Sequence, residues 1–240
     1  MSIEFNSYES SDEEQEHINK FSYLFKPIVL KSFNSSLYFS DDDLKKIKEK
    51  NENLVGGKKK EFKISDKGIY SITKPLDAIW IMDCIKRAIP NIKELTITDS
   101  TAGLGGNTIS FAKEFKKVNG VEINVVHFNL LKNNIDILDF DNVELHHANY
   151  MDKYNKLKED VVFIDPPWGG KKYHYIKYFN IRLGKVPISV IVNLLYQKGV
   201  EYVVLKCPYN TNVTDIMRNV GYNNCTISKS SHIWLLIFSN

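Results

Sequence analysis

The sequence predicts an α/β fold, a doubly wound and mostly parallel sheet with helices on its faces, and three observations predict it. From Leu95 onward, short β-branched runs alternate with longer helical stretches, the signature of βα repeats around a parallel sheet. The first of these runs leads straight into a glycine-rich turn, Asp99-Ser100-Thr101-Ala102-Gly103-Leu104-Gly105-Gly106-Asn107, which opens a helix. Glu122 then closes the next run, about 20 residues on, where such folds place an acid.

The elements follow in chain order. Residues 1–16 carry Glu4, Glu9, Asp12, Glu13, Glu14 and Glu16 with no Lys or Arg, and are expected to form a disordered acidic tail. Residues 17–60 read as a helical extension and linker. Phe21, Tyr23, Leu24, Phe25, Ile28, Val29 and Leu30 form apolar clusters there. Ser40 with Asp43 three residues on resembles a capping box, Asp41 and Asp42 suit a helix N-terminus, and Leu44 and Ile47 continue the helix. The linker lies around Gly56-Gly57 and Lys58-Lys59-Lys60.

Residues 61–240 form the main domain. A helix begins near Thr73, which can cap it, with Pro75 in its first turn, and runs past Ile79 and Trp80 to about Ala88, before Pro90. Strands are expected at Leu95 to Thr98, Val118 to Glu122, Val143 to Ala148, Val161 to Asp165, Tyr202 to Lys206 and Ile233 to Phe238. Helices are expected at Thr108 to Phe115, Val125 to Leu138 and Ile188 to Lys198. His146 and His147 fall on a strand and read as structural.

Composition bounds the rest. Apolar residues make up 43% of the chain, enough for a core, and the formal net charge is a mild +3. Cys84, Cys207 and Cys225 are far apart and lack metal-ligand spacing, so buried thiols in a reducing compartment are expected and no metal site is. No apolar run reaches transmembrane length and no signal-peptide pattern is present. A monomeric intracellular protein is expected, with nucleus against cytoplasm left open.

The stretch Asp165-Pro166-Pro167-Trp168-Gly169-Gly170 carries the chemistry. It follows the buried-strand run Val161-Val162-Phe163-Ile164. The prolines cannot donate hydrogen bonds, so their carbonyls stand as acceptors beside the Asp165 carboxylate. Acceptors of that kind suit the two N–H donors of an exocyclic amine, and Trp168 offers a flat face for a base. Together they suggest group transfer to the amino group of a nucleobase. Lys171, Lys172, Lys177, Arg182 and Lys185 follow the rim and could meet phosphates.

The glycine turn by itself fits either a nucleotide or S-adenosylmethionine. Asp99 before the glycines repels a pyrophosphate and attracts an ammonium group, and with the rim this favours S-adenosylmethionine.

These residues resemble class I methyltransferases, and more narrowly the trimethylguanosine synthase family, which acts on the N2 amine of the 7-methylguanosine RNA cap. Three blocks carry the resemblance in the family's order: Asp66-Lys67-Gly68-Ile69-Tyr70-Ser71-Ile72-Thr73, then Asp99 to Thr108, then Val161 to Gly170. The likeness spans about Ile64 to the C-terminus. It implies a seven-stranded Rossmann-like methyltransferase sheet over 61–240. It also implies S-adenosyl-L-methionine as cofactor, S-adenosyl-L-homocysteine as product, and 7-methylguanosine-capped RNA as substrate.

The implied cofactor residues are Tyr70, Thr73, Asp99, Thr101, Gly103, Gly105, Asn107, Glu122 on the ribose, Asn149 and Asp165. Tyr70 is either a cover on the cofactor or a core tyrosine, and Thr73 either a ligand or a helix cap. The implied catalytic set is Asp165 and the Pro166 carbonyl, holding the amine, with Trp168 stacked on the guanine. Lys171, Lys172, Arg182 and Asn210 are the candidate contacts to the rest of the cap. Asn149 stands where many class I enzymes place an Asp, and family members carry Ser or Asp at position 165. The alternatives are N2 methylation of an internal guanine or another nucleobase amine, and a cap-binding module without catalysis.

Overall fold

The computed structural model describes residues 34–53 and 59–240, with the backbone only at Lys171. The expected acidic tail, the apolar clusters up to Leu30 and the Gly56-Gly57 turn lie outside the described residues.

Helix α1 (Asp41–Glu52) begins as its sequence dictates. Ser40 Oγ accepts the Asp43 amide and donates to the Asp43 carboxylate, a reciprocal cap. Asp43 is buried and meets Lys113 Nζ at 2.8 Å. A short helix α2 (Gly68–Ser71) precedes α3 (Pro75–Ala88). The residue before α3 is Lys74, and no side chain caps it. Thr73 is therefore not the cap, because its hydroxyl is engaged elsewhere, as described below.

Strands and helices then alternate: β1 (Thr96–Asp99), α4 (Gly106–Ala112), β2 (Lys117–Glu122), α5 (Val125–Asp136), β3 (Val143–His147), α6 (Tyr150–Lys153) and β4 (Val161–Ile164). A two-stranded ribbon, β5 (Arg182–Leu183) with β6 (Val186–Pro187), precedes α7 (Ile188–Lys198). The chain closes with β7 (Tyr202–Pro208), α8 (Val213–Arg218), β8 (Asn224–Lys229) and β9 (Ile233–Ser239). Each expected strand is present within two residues of its sequence bounds.

The seven-stranded sheet runs β3-β2-β1-β4-β7-β9-β8. Strands β1 to β4 and β7 are parallel, and β9 pairs antiparallel with both β7 and β8. Every residue of β4 is buried, because helices cover both faces and alternate side chains go to each. Val161 and Phe163 pack with Ile81 and Ile85 of α3 and Phe111 of α4. Val162 and Ile164 pack with Ile188, Val192 and Leu195 of α7. A third cluster joins Phe39 and Ile47 of the extension to Phe62, Ile64, Leu131 and Ile135, with the Phe39 and Phe62 rings stacked 3.7 Å apart.

The order reverses between β1 and β4, which leaves a crevice at their carboxyl ends. Asp99, Glu122 and Asp165 lie at or just past the carboxyl-terminal ends of their strands, and Lys206 two residues before the end of β7, around that switch point.

Candidate active site

The glycine turn is shaped by positions that only glycine occupies without strain. Gly103 and Gly105 adopt φ of 57° and 99°. At Gly106 a Cβ would sit 2.5 Å from the Thr73 carbonyl oxygen, so the bare backbone lets the segment before α3 cross directly over the turn.

Two acids frame the turn. Glu122 accepts the amide of Gly103 through Oε2 at 2.8 Å and that of Asn124 through Oε1 at 2.7 Å. Asp99 is fully buried; Thr108 Oγ1 donates to its Oδ2 at 2.7 Å. The Asp99 carboxyl is raised to about 7, chiefly by burial and also by the nearby charges of Asp165 and Glu122, against the Thr108 hydroxyl and the Thr101 amide that lower it. Asn107, the chain neighbour of Thr108, is also buried and donates through Nδ2 to Thr73 Oγ1 at 3.0 Å, while its Oδ1 has no partner. A buried acid of raised pKa and an unpaired buried acceptor suit a cationic donor.

The rim stands on the other side of the turn. Thr101 Oγ1 accepts the Asp165 amide at 3.0 Å, which ties the end of β4 to the glycine turn. Asp165 Oδ2 meets Lys206 Nζ at 2.7 Å. Burial raises the Asp165 carboxyl and the Lys206 ammonium opposes it. Lys206 also donates to Thr73 Oγ1 at 2.9 Å and lies 5.5 Å from the centre of the Trp168 ring. Thr73 Oγ1 thus accepts from both sides of the crevice.

Lys206 is the member that the sequence reading passed over as a strand end. A lysine closing the apolar run Tyr202-Val203-Val204-Leu205 was the available signal, since a buried ammonium requires a partner.

Trp168 is half-buried, edge-on to Tyr173 at 5.3 Å, and its buried Nε1–H has no protein partner. Gly169 and Gly170 follow it with φ of 78° and 70° and nothing within 4 Å of an added Cβ. Asn210 donates through Nδ2 to the carbonyls of Tyr173 and Ile176, at 2.8 and 2.7 Å, so its amide holds the loop after the rim.

The remaining candidates stand further out. Tyr70 is 85% exposed, which removes the core alternative. Asn149 caps α6 by accepting the Met151 amide at 3.1 Å. Arg182 donates to the Lys185 carbonyl within the β5–β6 ribbon at 2.7 Å, and Lys172 is exposed. His146 is half-buried, with burial lowering its pKa, and His147 Nε2 bonds the Ile123 carbonyl oxygen.

Cys207, next to Lys206, points the other way. It is fully buried, its Sγ 3.5 Å from the Trp234 carbonyl oxygen, and burial raises its thiol to about 12. Cys225 is raised to about 11 by the same cause. Among the described residues no helix is long and apolar enough to cross a membrane. No cluster of His, Cys, Asp or Glu there is arranged to hold a metal.

This geometry has known counterparts. The fold matches the T. thermophilus 16S rRNA N2-guanine methyltransferase, solved with AdoMet and guanosine, at a TM-score of 0.55 and 14% identity, over 68% of this chain and 42% of that one. It matches a precorrin-6y C5,15-methyltransferase from Geobacter metallireducens at a TM-score of 0.53 and 16% identity, over 74% and 93%. The fold is therefore the Rossmann-like fold of the class I methyltransferases.

The model of the RNA cap guanine-N2 methyltransferase family matches residues 94–231, more than half of the sequence. The chain belongs to that family. Among curated relatives, an uncharacterised protein of Acanthamoeba polyphaga mimivirus is 37% identical over 130 residues, covering 52% of this chain and 51% of that protein. The trimethylguanosine synthase of Saccharomyces cerevisiae is 27% identical over 162 residues, covering 65% and 51%. The chain spans about half the length of these curated relatives.

Proposed function

We propose that this protein transfers a methyl group from S-adenosyl-L-methionine to the exocyclic N2 amine of the 7-methylguanosine RNA cap. The observation that carries the reading is the rim: a carboxylate fixed by a buried ammonium, beside a tryptophan, at the switch point that also holds the glycine turn.

The residues of the turn fit the cofactor. The Asp99 carboxylate and the orphaned Asn107 Oδ1 would take its ammonium group. Each oxygen of Glu122 already accepts one amide, and its second lone pair would accept a ribose hydroxyl. Gly103, Gly105 and Thr101 shape the turn around it, Asn149 would meet the adenine, and Tyr70 and Thr73 would close the site from the upstream segment. When bound, the cofactor would supply an activated methyl group on its sulfonium, with S-adenosyl-L-homocysteine as the leaving group.

The chain's own residues do the positioning. Asp165 and the Pro166 carbonyl accept the two amine N–H bonds and turn the nitrogen lone pair out of conjugation with the ring. The Asp165 carboxylate faces the positive charge that grows on nitrogen, and takes the proton the methylated amine sheds before passing it to water. Trp168 stacks on the guanine, and a base made cationic by N7 methylation gains a cation–π attraction of about 0.5–2 kcal/mol. From Pro166 to Val200 the chain has no Asp or Glu, while Lys172, Lys177, Arg182 and Lys185 are exposed there. With Lys171 they suit the cap's phosphates, and binding through them weakens as salt rises.

The test is methyl transfer from labelled S-adenosylmethionine to a 7-methylguanosine cap analogue, against GpppA, read by mass spectrometry. Product from the N7-methylated analogue alone supports the reading and counts the methyl groups. No product with cofactor still bound overturns it in favour of an internal guanine.

Asp99 makes a second expectation. Its carboxyl titrates at about 7 in the free protein, and an ammonium beside it favours the charged form. Cofactor affinity therefore rises with pH up to about 7 and then levels off. At pH 6 binding releases close to one proton, measurable by calorimetry in buffers of different ionisation enthalpy. Proton uptake, or no exchange, would remove Asp99 from the ammonium site.

A further inference from the structure

The buried ammonium of Lys206 has no part in the amine's hydrogen bonds or in the cofactor's. Its surroundings are nonetheless specific. Lys206 is 6% exposed near the end of β7, and Nζ donates to Asp165 Oδ2 at 2.7 Å and to Thr73 Oγ1 at 2.9 Å. Thr73 in turn accepts from Asn107, whose buried Oδ1 has no partner. A lysine is not buried in this way for stability alone, because desolvation costs roughly what the ion pair returns.

We propose that Lys206 is a positioning residue that keeps Asp165 ionised and engages its Oδ2, leaving Oδ1 to the substrate amine. Through Thr73, it also joins the rim to the segment that crosses the glycine turn. The inference rests on the methyl-transfer reading for its purpose, and on geometry alone for the pairing.

A carboxylate in this crevice needs such help. The charged group that acts on Asp165 is Lys206 from β7; Asp165 in turn acts on Asp99 from β1, as does Glu122 from β2, and on the thiol of Cys207 on β7, which is raised to about 12. Lys206 is the cation in that set. Without it, burial pushes the Asp165 carboxyl upward unopposed. An uncharged carboxyl would donate a hydrogen bond to the amine instead of accepting one.

The experiment reads the pair directly. The Asp165 carboxyl is titrated by carbon-13 NMR in the wild type, Lys206→Met, Lys206→Gln and Lys206→Arg, and is assigned by its absence in Asp165→Asn. Removing an opposite charge at this distance moves a carboxyl by about 1–3 pH units. The Met and Gln variants should move upward by that amount, and Arg should stay near the wild type. Gln keeps a donor for Thr73 and serves if Met does not fold.

The acid limb of kcat for cap methylation should move by the same amount, with KM for the cap analogue changed less than about threefold. Asp165 titrating alike in wild type and Lys206→Gln overturns the inference whatever the activity. Wild type that transfers no methyl, with the NMR shift present, overturns the function reading and leaves the pairing standing.

Discussion

Asp165→Ala lowers kcat for methyl transfer to a 7-methylguanosine cap analogue by about 10²–10³-fold, the size of effect seen when one electrostatic contact to a developing charge is removed. KM changes much less, because the carboxylate acts most strongly as charge appears on nitrogen, and an interaction that grows toward the transition state is read in kcat. The change also leaves Lys206 buried without its partner. Loss of one member of a buried pair costs about 3–5 kcal/mol. Thermal unfolding and S-adenosylhomocysteine binding are therefore measured alongside, and only a folded, cofactor-binding variant is scored. Turnover at the wild-type rate in such a variant would take the carboxylate out of the mechanism.

Trp168→Ala has the opposite kinetic signature. Stacking of a base on an aromatic side chain contributes roughly 1–3 kcal/mol. KM for the cap analogue should rise roughly 5- to 150-fold, with cofactor affinity nearly unchanged. The loss should be larger for the N7-methylated analogue than for any unmethylated one, because only the cationic base gains from the ring's electrons. Trp168 packs edge-on against Tyr173, which holds the indole upright at little entropic cost. Lost cofactor binding would show instead that the indole belongs to the cofactor's wall.

Much of this was legible in the chain. Val161-Val162-Phe163-Ile164 reads as a strand covered on both faces because nothing polar interrupts it, and all four residues are buried. The Ser40–Asp43 box sets the start of its helix with local chemistry alone. The strand Asn224–Lys229 was missed for a physical reason: it is an edge strand, largely exposed, and its alternation rests on Cys225 and Ile227 alone, too short a period to stand out. The short Arg182–Leu183 and Val186–Pro187 ribbon carries too few residues for any period.

In the site, the spacing of Glu122 from the glycines was readable. That its oxygens clamp the amides of Gly103 and Asn124 was not, since this depends on the turn's exact path. Lys206 and Thr73 stand 133 positions apart, and no local pattern announces a bond of that span. Thr73 looked like a cap because it precedes a proline-led helix, and its tertiary bonds took the hydroxyl away.

The depth of Cys207 bears on how long such an enzyme survives. A sulfonium methyl donor is an alkylating agent, and thiolates are the side chains it would attack first. With its thiol raised to about 12, only about one molecule in 10⁵ carries that thiolate at neutral pH. The sulfur also faces the Trp234 carbonyl, while its neighbour Lys206 faces the crevice. Strand alternation thus gives adjacent residues opposite surroundings: Lys206 faces the carboxylate of Asp165, and Cys207 faces away into the core. In the function proposed above, a thiol held in this way would be spared methylation by the bound donor.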